Sequence, residues 1–284
     1  MDLLGALHQR LRRGLVKRGA KSTSRPILGH RIHYYEVEGK GTSAPVLLVH
    51  GLGGSSNGFY KILFPLARRF SRVFALDLPG HGFSPPAQPP TTLRQNFEVL
   101  AAFCEQVVGG PVFAIGNSLG GGLCLALASE RPKLVRALGL LAPAGARLGE
   151  EQLAELSAAL QVQNAAQARA LTRRLFHRAP LVSLVFASLM PGMYGTPTVR
   201  GLLAGPDAKG FLTPEALRRA TVPTLLLWGK SEKLLPFEAV EYFRQHLPPE
   251  AKIEIIEGFG HVPQLERPRE LTSRLSRFAD EAQL

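Results

Sequence analysis

The stretch Gly116-Asn117-Ser118-Leu119-Gly120 sets a serine between two glycines, directly after an apolar run at 111–116 and directly before a helical pattern at 119–130. In that context a strand turns into a helix at the serine itself, and a side chain at either glycine would crowd the turn. The serine hydroxyl is then exposed at a helix N-terminus, where backbone N–H groups stabilise negative charge. The chemistry implied is nucleophilic attack by Ser118. The competing role is that of a serine that merely caps the helix.

A serine nucleophile needs a base, and His261 is the best placed of the eight histidines. It lies in Gly258-Phe259-Gly260-His261-Val262-Pro263, after the last expected strand and before the last helix, where glycines let a loop present the ring. His50 and His81 sit in loops and are expected to brace them, as is Asp77. The base needs an orienting acid, which a serine–acid–histidine chain order puts after the strand ending at Trp228. The loop 229–236 holds one carboxylate, Glu232, flanked by Lys230 and Lys233, which are expected to keep it ionised. Glu257 and Glu266 are nearer to His261 in sequence but sit at the end of a strand and the start of a helix. An oxyanion needs two N–H donors. Leu119 follows the nucleophile, and Leu52 lies in the glycine-rich turn His50-Gly51-Leu52-Gly53-Gly54.

Strands that could hold these residues are expected at 31–38, 45–49, 72–78, 111–116, 135–141, 222–228 and 252–257. Helices are expected at 59–70, 92–108, 119–130, 237–247 and 267–281. This alternation argues for βαβ units and a mainly parallel sheet. It stops between 144 and 220, where helices at 150–170, 171–190 and 214–220 form an inserted block. Ligands bind at the carboxyl ends of parallel strands, so such a block would cover the site as a cap. Its apolar stretch 181–190 either lines an acyl pocket or packs on the core.

At 284 residues, with 45% hydrophobic and 20% charged residues, the chain can bury a core without disulfide or metal staples. Cys104 and Cys124 lie in apolar helical stretches and are expected as reduced, buried thiols. No metal-ligand spacing occurs, and no cofactor or metal is implied. No apolar run reaches the roughly 20 residues of a membrane span. The net charge of +12 is concentrated in residues 1–25, where seven Lys and Arg residues face Asp2 alone. That segment has no apolar core of a signal peptide, and the chain is expected in the cytoplasm. Leu4, Leu7, Leu11 and Leu15 recur there at helical spacing. Two readings follow: a basic amphipathic helix in peripheral contact with a membrane, or a solubilising tail. Nucleic acid is not an expected partner, since the arm lacks interleaved aromatics and no nucleic-acid motif follows it.

The stretches VLLVHGLGG, FALDLPGHGFS, IGNSLGG, PTLLLWGKSEKLLP and GFGHVPQLERP resemble, in order, those of α/β-hydrolase-fold enzymes from about residue 26 onward. The resemblance implies a mainly parallel eight-stranded sheet with helices on both faces and an inserted helical cap. The segments would be a basic extension at 1–25, core at 26–143, cap at 144–220 and core again at 221–284. The insertion looks most like the caps of monoacylglycerol-lipase-like and meta-cleavage-product-hydrolase-like members. The resemblance assigns nucleophile, acid and base to Ser118, Glu232 and His261, and oxyanion donors to Leu52 and Leu119. One departure stands out. The family usually has aspartate where this chain has Glu232, so the longer side chain must fold back or start from a displaced backbone. A second acid, after the strand ending at Leu141, stays open. Ser118 argues against the haloalkane and epoxide activities of relatives with an aspartate nucleophile. The leading expectation is hydrolysis of a small-molecule or lipid carboxylic ester with an apolar acyl or alcohol part. The alternatives are C–C bond hydrolysis of a meta-cleavage product and a non-catalytic binding protein on the same scaffold.

Overall fold

Four short apolar runs, Val46–Val49 (β3), Val112–Asn117 (β5), Val135–Leu141 (β6) and Thr224–Gly229 (β7), lie side by side as parallel strands. All residues of β3, β5 and β7 are buried. Parallel strands read as unbroken apolar runs because helices cover both faces of their sheet. The sheet has eight strands in the order β1-β2-β4-β3-β5-β6-β7-β8. Lys21–Ile27 (β1), His30–Glu38 (β2), Arg72–Leu76 (β4) and Lys252–Ile256 (β8) complete it. Only the β1–β2 and β2–β4 pairings are antiparallel. The computed structural model describes residues 3–178, 183–205 and 212–284, apart from the side chains of 183–186.

Successive strand residues point to opposite faces, and the core divides accordingly. Leu47 and Val49 of β3 join the layer made with Leu93–Phe103 (α3), Leu119–Glu130 (α4) and Phe237–His246 (α10). Val46 and Leu48 join the layer made with Leu63–Ala67 (α2) and Pro268–Glu281 (α12). The first helix, Leu3–Lys17 (α1), adds Leu15 to this second layer. Between β6 and β7 come Glu150–Leu160 (α5), Ala165–Leu175 (α6), Ser183–Tyr194 (α7), Pro197–Ala204 (α8) and Pro214–Arg219 (α9). The short helix Pro263–Glu266 (α11) precedes α12. Side chains of α5–α8 form a third apolar cluster around Leu171, Leu175, Met190 and Tyr194, and Leu234 from the loop after β7 joins it.

The structure corrects the expected elements at three places. β1 lies within the basic N-terminal stretch, so the sheet begins at Lys21 rather than after residue 25. Its sequence KSTSRPI buries only Ile27 fully, as an outermost strand with Pro26 would. The continuous helix expected over 59–70 is a 3-10 turn at Ser56–Phe59 followed by α2. Pro65 has no N–H and its ring excludes the carbonyl four residues back, so a helix can start only just before it. The block 150–190 is three helices rather than two. Asn164 ends one run and caps the next by accepting from the Gln167 N–H at 3.0 Å. The acyl-pocket reading of 181–190 falls partly outside the described residues; of the described part, Leu189 lines the cavity discussed next.

Candidate active site

Ser118 occupies the step between β5 and α4 with φ at 54°, a left-handed conformation that costs a residue with a Cβ of order 1–3 kcal/mol unless its surroundings impose it. They do so through three backbone hydrogen bonds. Ser118 N–H donates to Leu141 O at 3.0 Å, and Ser118 O accepts from Gly122 N at 3.0 Å and Ala144 N at 2.9 Å. The flanking glycines are sterically required. A Cβ on Gly116 would lie 2.3 Å from Gly120 O, and one on Gly120 would lie 2.2 Å from Val49 O.

The loop after β3 passes directly over the serine, with the place of a Gly51 Cβ 3.1 Å from Ser118 Cβ. Leu52 follows, and both Leu52 and Leu119 line the cavity that Ser118 lines. Leu119 opens α4, so its N–H is one of those that no helical carbonyl can satisfy. His50 fixes the loop. Its Nδ1–H donates to Gly51 O at 2.8 Å, and its Nε2 accepts from the Leu78 N–H at 3.1 Å. The second bond requires a neutral ring, and burial pushes the His50 pKa down. His81, 4.9 Å away ring to ring, is pushed down to about 3 by burial and by His50. Asp77 ties the neighbouring turn together, accepting from Ser56 N at 2.6 Å, Phe83 N at 3.0 Å and His33 Nδ1 at 2.7 Å. Burial alone would raise its pKa, but the His33 hydrogen bond and charge hold the carboxyl below its usual range.

His261 Nδ1 lies 2.8 Å from Glu232 Oε2, and both side chains are almost wholly buried. With Nδ1–H donating to the carboxylate, Nε2 is left as the acceptor. Glu232 Oε1 accepts from the N–H groups of Leu234 at 2.7 Å and Leu235 at 3.1 Å. These donors, rather than flanking lysines, complement its charge: Lys230 is paired with Glu257, and Lys233 is exposed. Ser118 and His261 line one cavity. The carboxylate beside His261 Nδ1 is that of Glu232.

Three further residues hold the site and were not singled out from sequence. Asn117 Nδ2 donates to His261 O at 2.9 Å and to Leu141 O at 3.0 Å, and its Oδ1 accepts from Gln264 Nε2 at 3.0 Å. The residue before the serine therefore ties the elbow to the histidine loop. Glu266 accepts from Gly260 N at 3.0 Å and His177 N at 2.7 Å, joining that loop to the end of α6, and burial raises its pKa. His177 lies beyond α6 with Nδ1 2.6 Å from Ser231 Oγ.

The cavity measures about 770 Å³ and is mostly apolar, with Leu156, Leu160, Leu175, Met193, Tyr194 and Leu202 among its walls. Leu4, Leu7 and Leu11 of α1 also line it, as do Lys61, Arg178 and Arg267. Among the described residues no three His, Cys, Asp or Glu side chains are grouped as metal ligands, and no helix is long and apolar enough to cross a membrane.

Known proteins share this arrangement of chain. A hydrolase from Metapseudomonas resinovorans acting on 2-hydroxy-6-oxo-6-(2'-aminophenyl)hexa-2,4-dienoic acid is 30% identical over 84% of this chain and 87% of its own. The crystal structure of a membrane phospholipase A superposes with a TM-score of 0.84 at 26% identity, over 99% of this chain and 91% of that one. The acetyltransferase component of an acetoin-cleaving system from Cupriavidus necator is 28% identical over 84% of this chain, which spans only 64% of that longer protein. The alpha/beta hydrolase fold family matches residues 44–268, a stretch running from just before β3 into the start of α12. The strained serine, the sheet order and this match agree, and the chain belongs to the α/β-hydrolase fold family of enzymes.

Proposed function

We propose that this enzyme hydrolyses a carboxylic ester with an apolar acyl or alcohol group through an acyl-enzyme on Ser118. The observation that carries the reading is His261, 2.8 Å from the buried Glu232 carboxylate and lining with Ser118 a mostly apolar cavity. Ser118 Oγ attacks the ester carbonyl as His261 Nε2 takes its proton, and Glu232 stabilises the imidazolium. The N–H groups of Leu52 and Leu119 take up the negative charge on the former carbonyl oxygen. His261 then returns the proton to the departing alcohol. In the second half, water gives a proton to His261 and attacks the acyl carbon, releasing the acid and restoring the serine. Helices α5–α8 act as a cap over the site. The exposed face of α1, with Arg10, Arg13 and Lys17, meets an anionic lipid surface from which such a substrate would come.

A second reading, hydrolysis of a C–C bond, is favoured by Lys61, Arg178 and Arg267 on the cavity wall, since a dienoic acid needs cationic partners for its carboxylate. The test is a panel of p-nitrophenyl esters of graded chain length beside a 2-hydroxy-6-oxo-dienoate, with wild type and Ser118→Ala. The expected outcome is ester turnover by the wild type, a fall of several orders of magnitude in the variant, and labelling of Ser118 by a fluorophosphonate. Near-normal ester turnover by Ser118→Ala would overturn the assignment. Turnover of the dienoate alone would favour the second reading.

A further inference from the structure

The two halves of α1 are held in different ways. Its second half is anchored in the core. Leu15 is 2% exposed and joins the layer of Phe59, Ile62 and Leu63, and just past the helix the Arg18 guanidinium lies 4.1 Å over the Phe64 ring. Its first half instead borders the catalytic cavity. Leu4, Leu7 and Leu11 share one helix face, are half-buried, and line the space that Ser118 and His261 line. Leu4 also meets α7, its Cδ2 lying 3.1 Å from where a Cβ on Gly192 would stand. The helices between β6 and β7 therefore do not enclose the cavity alone. A helix more than a hundred residues earlier in the chain supplies part of its wall, with Leu4, Leu7 and Leu11 for apolar contact and His8 beside them.

We propose that α1 is the wall of this cavity that reads the length of the substrate's acyl chain, with Leu4, Leu7 and Leu11 as the specificity-determining contacts. The proposal rests on the esterase reading above. An acyl chain lying against these leucines gains about fourfold in binding for each methylene it buries, so selectivity between long and short esters depends on the room they leave. A larger side chain at 7 or 11 takes that room from the far end of a long chain, while a short ester does not extend to it.

The test measures kcat/KM for p-nitrophenyl dodecanoate and butyrate with wild type, Leu7→Trp, Leu11→Trp and Leu7→Ala, and with Gln9→Ala as a control on the exposed face. The dodecanoate-to-butyrate ratio should fall by about tenfold or more in the tryptophan variants, as expected for two or more methylenes displaced. It should change by at least about threefold in Leu7→Ala and stay unchanged in Gln9→Ala. Calorimetric binding of dodecanoate, which requires no turnover, should weaken by a similar factor in Leu7→Trp. It keeps the wall testable should the wild type hydrolyse no ester, an outcome that would sink the esterase reading alone. Equal ratios in all variants, or equal dodecanoate affinity where no ester is turned over, would overturn the proposal. Should a tryptophan variant fail to fold, Leu7→Ala decides alone.

Discussion

Glutamate is one methylene longer than aspartate, and at position 232 the protein takes up that length by folding the side chain back on its own loop. Oε1 accepts from the N–H groups two and three residues on, which turns Oε2 toward His261 Nδ1. The acid proposed here should therefore be specific for glutamate. Glu232→Gln should lower kcat by roughly 10³- to 10⁴-fold, since an amide both lacks the charge and sets a donor against one of its N–H partners. Glu232→Asp withdraws the carboxylate by about one bond length and should cost on the order of 10²-fold. Steady-state kinetics with unchanged thermal unfolding would check both. Near-normal turnover by Glu232→Gln would remove Glu232 from the mechanism. The residues of this site that sequence exposed are those whose type and local context announce chemistry: a serine between glycines, a histidine after glycines, one carboxylate in a loop. Asn117 was illegible because its partner His261 O is 144 residues away, and nothing local distinguishes it from any residue that fits the elbow.

Elements were legible to the extent that their burial is one-sided or complete. The interior strands are short apolar runs, and β6 and α4 fall where the pattern puts them. β1 escaped because an outermost strand need bury little, and its polar side chains read as part of a charged arm. The leucine stripe of α1 was legible, but its partner was not: periodicity gives a face and says nothing of what covers it. Since Leu4, Leu7, Leu11 and Leu15 face inward, only the charged face remains for a membrane, with Leu3 and Val16 as exposed apolar residues. Binding to anionic vesicles should then be electrostatic. Each basic residue near such a surface is worth about 1 kcal/mol, so replacing Arg10, Arg13 and Lys17 together by Glu should weaken co-sedimentation by 10²-fold or more. Raising the salt should do the same to the wild type, since the Debye length shrinks from about 8 Å at physiological ionic strength to about 3 Å at 1 M. Binding that survives both changes would mean that the helix inserts its leucines into the bilayer instead.

For the molecule as a whole, the loops around the serine bury two imidazole rings, those of His50 and His81, whose pKa values burial pushes down, and acid should therefore destabilise the fold. His81 is buried with its pKa pushed down to about 3 from an ordinary 6.5, and His50 is pushed in the same direction. The unfolded chain binds protons at these rings below about pH 6.5 while the folded chain does not. The stability they contribute is complete above that pH and is lost as the pH falls toward the folded pKa. Between pH 6.5 and 5 the loss from His81 alone is about 2 kcal/mol. Carboxylates with ordinary values near 4 stay ionised in this window, and Glu266, raised by burial, works in the opposite sense. The contribution of His81 is isolated by difference. Urea unfolding at pH 7 and pH 5 should show wild type losing about 2 kcal/mol more than His81→Asn, because every group common to the two proteins cancels to the extent that it is independent. An equal loss in both would show that His81 takes up its proton in the folded state. The neutral ring would then have to be His50, whose Nε2 accepts the Leu78 N–H and holds the turn over Ser118. In that case ester turnover should fall along with stability as the pH drops.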